Sequence, residues 1–490
     1  MQQRDNAARA AGFQVSSGRR LPAHPVTLVV CIGMAASLVL SDGHDQQRLW
    51  QLAMFAVLAP YLLMRDGLPS LLAGAPRRGL RWSLAGFFLC GAISSLLAFS
   101  VRRAILEASM VLMLLLVAIA IAREIARDRR GGVMLLLQVC AAGCAAYGFK
   151  VGVQYFAAVV NHIQPDIFTF TPGFSNLRFL NHTQTIALPM LALFCLLLKS
   201  KTARCGALMI TAFWWALLFA TSGRGTMVAM MACCLVAVIV RRQQAFAYCR
   251  MMALAACGGL AIYALLFTAL PMLLGLEPAG AFSAMAQRTA ADPASLRLPL
   301  WTRALELITA HPLFGAGPMH YGHYAIDLQN GAHPHNWMFQ FGAEWGIPGL
   351  LFLCGALGFA IRSLLRTAPL IGAGNVDDQH MLTAWIATGA AILVDALVSG
   401  LFVMPMSQLW IVIYLGCAAG WTMSFQAADA SARRGRGIAG SLLLLMAAAG
   451  IAAGVAPELA DIINHVPRSA EEAALYNGYD HPRIWLGGYF

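Results

Sequence analysis

Three short stretches carry residue types that can act on a charged substrate. Thr221-Ser222-Gly223-Arg224-Gly225 sets an arginine between two glycines. Glycine permits close backbone approach or unusual dihedrals, and an arginine held there can present a rigid fork of donors to a phosphate. An arginine that only anchors a helix end fits the same spacing. Arg178, in the stretch from Thr171 to Gln184, has the same two readings. The third stretch is His333-Pro334-His335-Asn336, followed by Gln340 and Glu344. Histidine titrates near neutrality and can take a proton from a hydroxyl nucleophile; a plain histidine at a helix boundary is the blander reading of His335. Glu344 lies nine residues beyond His335. On one continuous helix that is roughly 13 Å along the axis, too far for contact, so capping or pairing with a loop arginine suits Glu344 as well as substrate binding. Two histidines without a third ligand nearby are a weak metal pattern.

The elements that must position these residues are membrane helices. The chain has 490 residues, 59% hydrophobic and 11% charged. An ordinary soluble domain carries about 25% charged residues, and a disordered chain lacks this much apolar side chain. About 20 apolar residues cross a bilayer as a helix. Thirteen runs qualify, at 25–40, 48–64, 82–99, 104–122, 133–160, 183–198, 203–221, 225–240, 251–273, 345–361, 381–402, 405–425 and 438–457. The first follows Arg19 and Arg20 and is taken as an uncleaved span, not a signal peptide. With the N-terminus inside, alternation puts 23 Lys and Arg on inner segments and 10 on outer ones, Lys150 within a span completing the 34. That asymmetry follows the positive-inside rule, so much of the +12 balance is topology. No nucleic-acid-binding pattern accompanies it. The 12 cysteines sit mostly singly in apolar runs, without a CxxC, as small buried hydrophobes do.

The expected fold is therefore all-α and polytopic, with about 12–13 transmembrane helices and a large outer loop containing short helices. It divides into an N-terminal bundle 1–273 with an outer loop at 161–182, the large loop 274–342, a C-terminal bundle 343–457 and a tail 458–490. In the large loop a helix is expected over 301–310, ending before His311-Pro312, with turns at Gly315 and Gly317. Trp301, Leu305 and Ile308 would form its apolar face. All three chemical stretches fall on the outer side.

Four elements together resemble the O-antigen ligase/polymerase superfamily of polytopic bacterial membrane glycosyltransferases. They are Ser222-Gly223-Arg224-Gly225, Leu300-Trp301-Thr302-Arg303-Ala304-Leu305, His311-Pro312-Leu313-Phe314-Gly315-Ala316-Gly317, and His335-Asn336 followed by Gln340, Glu344, Gly346 and Gly349. They cover mainly 170–360, and O-antigen ligase is the closest branch. Members have about twelve spans and a large periplasmic loop before the last few; a thirteenth span departs from that count. The resemblance implies a multi-pass protein of the bacterial inner membrane with its site facing the periplasm. It implies transfer of a glycan from an undecaprenyl-diphosphate carrier to a lipid A-core acceptor, without metal, nucleotide sugar or other cofactor. The family's loop histidine maps to His335 and its phosphate-facing arginines to Arg224 and Arg178. Arg288, Trp301, Arg303, Asn336, Gln340 and Glu344 are the implied substrate-binding residues. Polymerases, which extend a carrier-linked chain, and a branch that glycosylates protein serine or threonine share donor and site. A transporter or flippase is the alternative of another class; Lys150 and Asp395 are the ionisable residues deep in spans that it would use.

Overall fold

The computed structural model describes residues 24–64, 78–278, 297–328, 331–372, 374–426, 438–464, 483–485 and 488. The longer helices are α1 (Pro25–Leu40), α2 (His44–Met64), α3 (Arg78–Leu97), α4 (Val101–Arg127), α5 (Arg129–Val160), α6 (Leu177–Leu197), α7 (Lys201–Thr221), α8 (Arg224–Arg241), α9 (Phe246–Ile262), α10 (Arg297–Ala310), α11 (Trp337–Leu365), α12 (Val376–Asp395), α13 (Pro405–Gln426) and α14 (Ile438–Asn464). Each of the thirteen expected runs falls on one of them, and α10 is the helix expected in the large loop. Among the described residues, nine stretches are long and apolar enough to cross a membrane. One of these, Arg224–Leu273, holds both α8 and α9, which meet at a reversal where Arg242 takes φ 51. The protein is an all-α, multi-pass membrane protein.

The helix α6 is the central post: 94% of its apolar window is buried, and α5, α7, α8, α9, α12 and α13 all pack on it. A mostly apolar helix belongs in such a place, and its buried polar residues Asn181, Gln184 and Thr185 find hydrogen-bond partners there. Polar residues on α2 (His44, Gln47, Arg48, Gln51) also turn inward, where they are buried. At one end of the bundle ion pairs and caps close the helix ends. Glu124 caps α1, accepting from Val26 N (3.2 Å) and from Thr27 N and Oγ1 (2.9 Å each). Arg129 pairs with Asp378 (2.8 Å), which also accepts from Trp421 Nε1 (2.9 Å). Carboxylates at helix N-termini compensate the unpaired N–H groups there.

Three expectations shift. The run 381–402 is not one helix: α12 ends at Asp395, and the chain turns so that Gly400 lies against the His333 ring, where a Cβ would come within 2.3 Å of Cε1. α14 continues past Pro457 to Asn464, into the segment expected as tail. On α10 the buried stripe is Leu300, Ala304 and Leu307, whereas Leu305 is exposed. The reason is local: Ala304 and Leu307 pack with Ala316, Tyr321, Ala325 and Ala343 in a small core of the loop itself.

The feature of the fold that most concerns the site is a break in α11. Gly346 has φ 77 and ψ 168, a region open essentially to glycine alone. A Cβ there would also lie 2.3 Å from the Leu313 carbonyl oxygen. A half-helix, Trp337–Trp345, thus precedes the long apolar helix. Ala316 N and Gly317 N donate to the carbonyls of Ala343 (2.8 Å) and Glu344 (3.1 Å), so the turn of Gly315 (φ 72) and Gly317 (φ 111) docks on the half-helix's last residues.

Candidate active site

The Ser222-Gly223-Arg224-Gly225 stretch forms the corner between α7 and α8. Here the left-handed residue is Ser222 (φ 54), and the glycines serve close packing. A Cβ on Gly223 would come within 2.6 Å of Asn181 Cγ, and one on Gly225 within 2.9 Å of Asp395 Oδ1. Arg224 is the first residue of α8 and is half-buried. Behind it runs a buried polar chain. Asn181 Nδ2 donates to Thr221 Oγ1 (2.7 Å) and Gln184 Oε1 (2.8 Å), and Thr226 Oγ1 donates to the Asn181 carbonyl (3.1 Å). The hydroxyls of Thr185 and Ser399 donate to Asp395 Oδ2 (3.1 Å each). Arg178, exposed, lies in the first turn of α6, capped by Asn176 through Arg178 N (2.9 Å).

His335 sits just ahead of the half-helix in a left-handed conformation, φ 53, which histidine tolerates better than most residues. Its N–H donates to His333 Nδ1 (3.2 Å), and the two rings lie 4.0 Å apart. The segment is clamped on both sides: Trp301 Nε1 donates to the Pro334 carbonyl (3.1 Å), and Trp337 N to the Ala396 carbonyl (3.0 Å). Burial, then the charges of Arg297, Arg178 and His182, hold the His335 imidazole down to about 3. His333 is pushed well below the usual range by burial, then by His335, Arg483, His182 and Arg178. At neutral pH both rings are therefore uncharged, and a neutral imidazole can accept a proton.

These interactions bring together Arg178, His182, Arg297, His333 and His335. Arg297 opens α10, ahead of the 301 expected for the loop helix; in the expected topology it is one of the ten outer basic residues that the positive-inside rule does not explain. His182 lay beside Arg178 in sequence and drew no role. Four of the expected binding residues make defined contacts within the protein. Arg303 binds Asp327 through both terminal nitrogens (2.9 and 3.0 Å) and Glu306 through Nε (3.0 Å), and in return holds the Asp327 carboxyl below its usual range. Asn336 caps the half-helix, accepting from Met338 N (2.9 Å) and Phe339 N (3.2 Å). Trp301 holds the histidine segment, as above. Glu344 is fully buried and accepts from Arg483 and from Tyr321 N (3.0 Å); it does not touch His335. Gln340 is buried in the half-helix. Arg288 lies outside the described residues. Of the two intramembrane ionisable groups, Lys150 donates to the Val39 carbonyl (2.8 Å) and Asp395 belongs to the hydroxyl chain.

Fold and site define a multi-pass membrane protein in which the large loop returns two histidines to the bundle, within reach of Arg297 and Arg178. Residues 206–354 match the family model described as O-Antigen ligase, which bears out the resemblance to that superfamily. The stretch takes in Arg224, Arg297, Trp301, Arg303 and His335, and leaves Arg178 and Arg483 outside. The match supports glycosyl transfer of the O-antigen ligase/polymerase kind, with a lipid-linked glycan and a glycan acceptor as substrates. No curated protein matches the chain.

Proposed function

We propose that the protein moves a glycan from an undecaprenyl-diphosphate carrier to a hydroxyl of lipid A-core, at the periplasmic face of the bacterial inner membrane. The observation that carries this reading is the His335 segment, clamped by Trp301 and Trp337 ahead of the half-helix, with Arg297 and Arg178 among the charges that reach its imidazole, on a loop inside the matched stretch. The donor brings its own leaving group. The acceptor oxygen bonds to the anomeric carbon as the bond from that carbon to the phosphate oxygen breaks. The hydroxyl proton passes to His335, and Arg224, Arg178 and Arg297 carry the charge that grows on the departing diphosphate. A single displacement inverts the anomeric centre.

The low basicity of His335 fits this scheme. A base held near 3 is too weak to draw a proton from a hydroxyl efficiently. Burial is the main cause of that depression; a diphosphate held by Arg297 and Arg178 cancels the part that comes from their charge and shifts the imidazole upward to that extent. The test is direct. Purified protein is given the carrier-linked glycan with lipid A-core, a second carrier-linked glycan, or a serine- and threonine-containing protein. Transfer to lipid A-core with inversion is expected. Growth of the carrier-linked chain instead would make the protein a polymerase, and retained configuration would end the one-step scheme.

A further inference from the structure

Residues 483–485 lie far beyond the matched stretch in sequence, yet their polar contacts are among the most buried in the protein. Arg483 is 3% exposed. Its two terminal nitrogens grip both carboxylate oxygens of Glu344, with Nη2 to Oε2 at 2.6 Å, and Nη2 also donates to Glu107 Oε1 (3.2 Å). The Ile484 carbonyl accepts from Arg48 Nε (2.9 Å) and lies 3.2 Å from His44 Nε2, both on α2. Trp485 Nε1 donates to Glu458 on α14 (2.9 Å), which pairs with Arg102 on α4 (2.7 Å). Three consecutive residues thus tie α2, α4, α11 and α14 together.

The Glu344 grip matters because of the break at Gly346. The half-helix Trp337–Trp345 is not an extension of the apolar helix that follows, so that helix does not fix its direction. Other contacts must: the Gly315 turn, Ser94 Oγ on the Glu344 carbonyl (2.7 Å), and Arg483 on the Glu344 carboxylate. Asn336 and His335 sit at the opposite end. We propose that Arg483 is a positioning residue for the transfer reaction, setting the half-helix from its far end and thereby the placement of His335. The idea rests on His335 as the base. A rigid nine-residue helix is about 13 Å long, so tilt at one end becomes displacement at the other, and about 1 Å of misplacement can cost on the order of 10²-fold in rate.

The experiment compares wild type with Arg483→Gln, Arg483→Lys and a chain ending at residue 482. It measures folded protein in the membrane, kcat and KM for the carrier-linked glycan, and amide hydrogen exchange over 313–345. Arg483→Gln and the shortened chain should lose about 10- to 100-fold in kcat with KM within about threefold, and exchange faster over 337–345. Arg483→Lys, which keeps the charge but not the fork, should fall between. Should Arg483→Gln fail to accumulate, the pair Glu344→Gln with Arg483→Met removes both charges and serves instead, with the same loss of kcat expected. Unchanged exchange over 337–345, or a loss of activity that only tracks the amount of folded protein, overturns the proposal. Faster exchange in the variants of a protein whose wild type transfers no glycan would instead reject the reading of function.

Discussion

Around Arg483 each buried arginine faces carboxylates: Arg483 faces Glu344 and Glu107, and Arg48 faces Glu107 and Asp45. Burial alone would lower the Arg483 pKa, but Glu344 and Glu107 outweigh it and raise the group above its ordinary value. Around His335, at the same end of the bundle, the charges that reach the imidazole are Arg297 and Arg178, with His182 and His333 as neighbouring imidazoles. A buried arginine is costly unless paired. The first cluster meets that cost within the protein, through the carboxylates of Glu344 and Glu107. The second sets Arg178, exposed, and Arg297, half-buried and within reach of Asp395, near neutral imidazoles at the surface of the bundle. The same residue type serves architecture in one place and, in the proposed reaction, the diphosphate in the other, and the distinction lies in exposure and neighbours.

The deepest break in the second cluster is His335→Asn. Asparagine also accepts the left-handed backbone, so the fold should stay and the base should go. Transfer is expected to fall by about 10²- to 10⁴-fold while the protein accumulates as wild type does. Full transfer by this variant would remove the base assignment.

Arg297→Gln tests whether the cationic character has a purpose. Loss of one charge that stabilises the leaving diphosphate should cost on the order of 10²- to 10³-fold in kcat. The same substitution moves the pH profile in a defined direction. With Arg297 present, His335 is protonated only near pH 3, so the acid limb of kcat/KM that it sets lies there. Removing the largest charged influence raises the imidazole toward its ordinary 6.5, and the limb should move up in pH. An acid limb that stays in place would mean that Arg297 does not face the base.

Much of this architecture could be read beforehand, for a physical reason. Spans are long, and each must satisfy its own backbone in lipid, so each of the thirteen apolar runs contains helix, and all but 381–402 are helical over nearly their whole length. The histidine and Arg224 stood out by residue type and by glycine neighbours. Arg297, His182 and Arg483 did not, because their meaning depends on distant partners: Arg483 and Glu344 are 139 residues apart. The end of α12 was hidden likewise. Apolar residues continue to 402, and the turn after Asp395 is set by packing of Gly400 on His333, which no local pattern encodes.

The balanced cluster should respond to damage in the opposite manner, and Glu107→Gln is the mild probe of it. Glu107 makes one contact with Arg483, at 3.2 Å, whereas Glu344 holds the guanidinium through both oxygens. The substitution keeps size and shape and leaves the stronger pair in place. It removes one charge-assisted hydrogen bond, worth about 1.5–3 kcal/mol. Thermal unfolding in detergent should shift down accordingly, and kcat should change far less than with Arg297→Gln, since Glu344 still holds the half-helix. A large fall in kcat without a fall in stability would show that the balanced cluster acts in the chemistry after all, and the contrast between the two clusters would collapse.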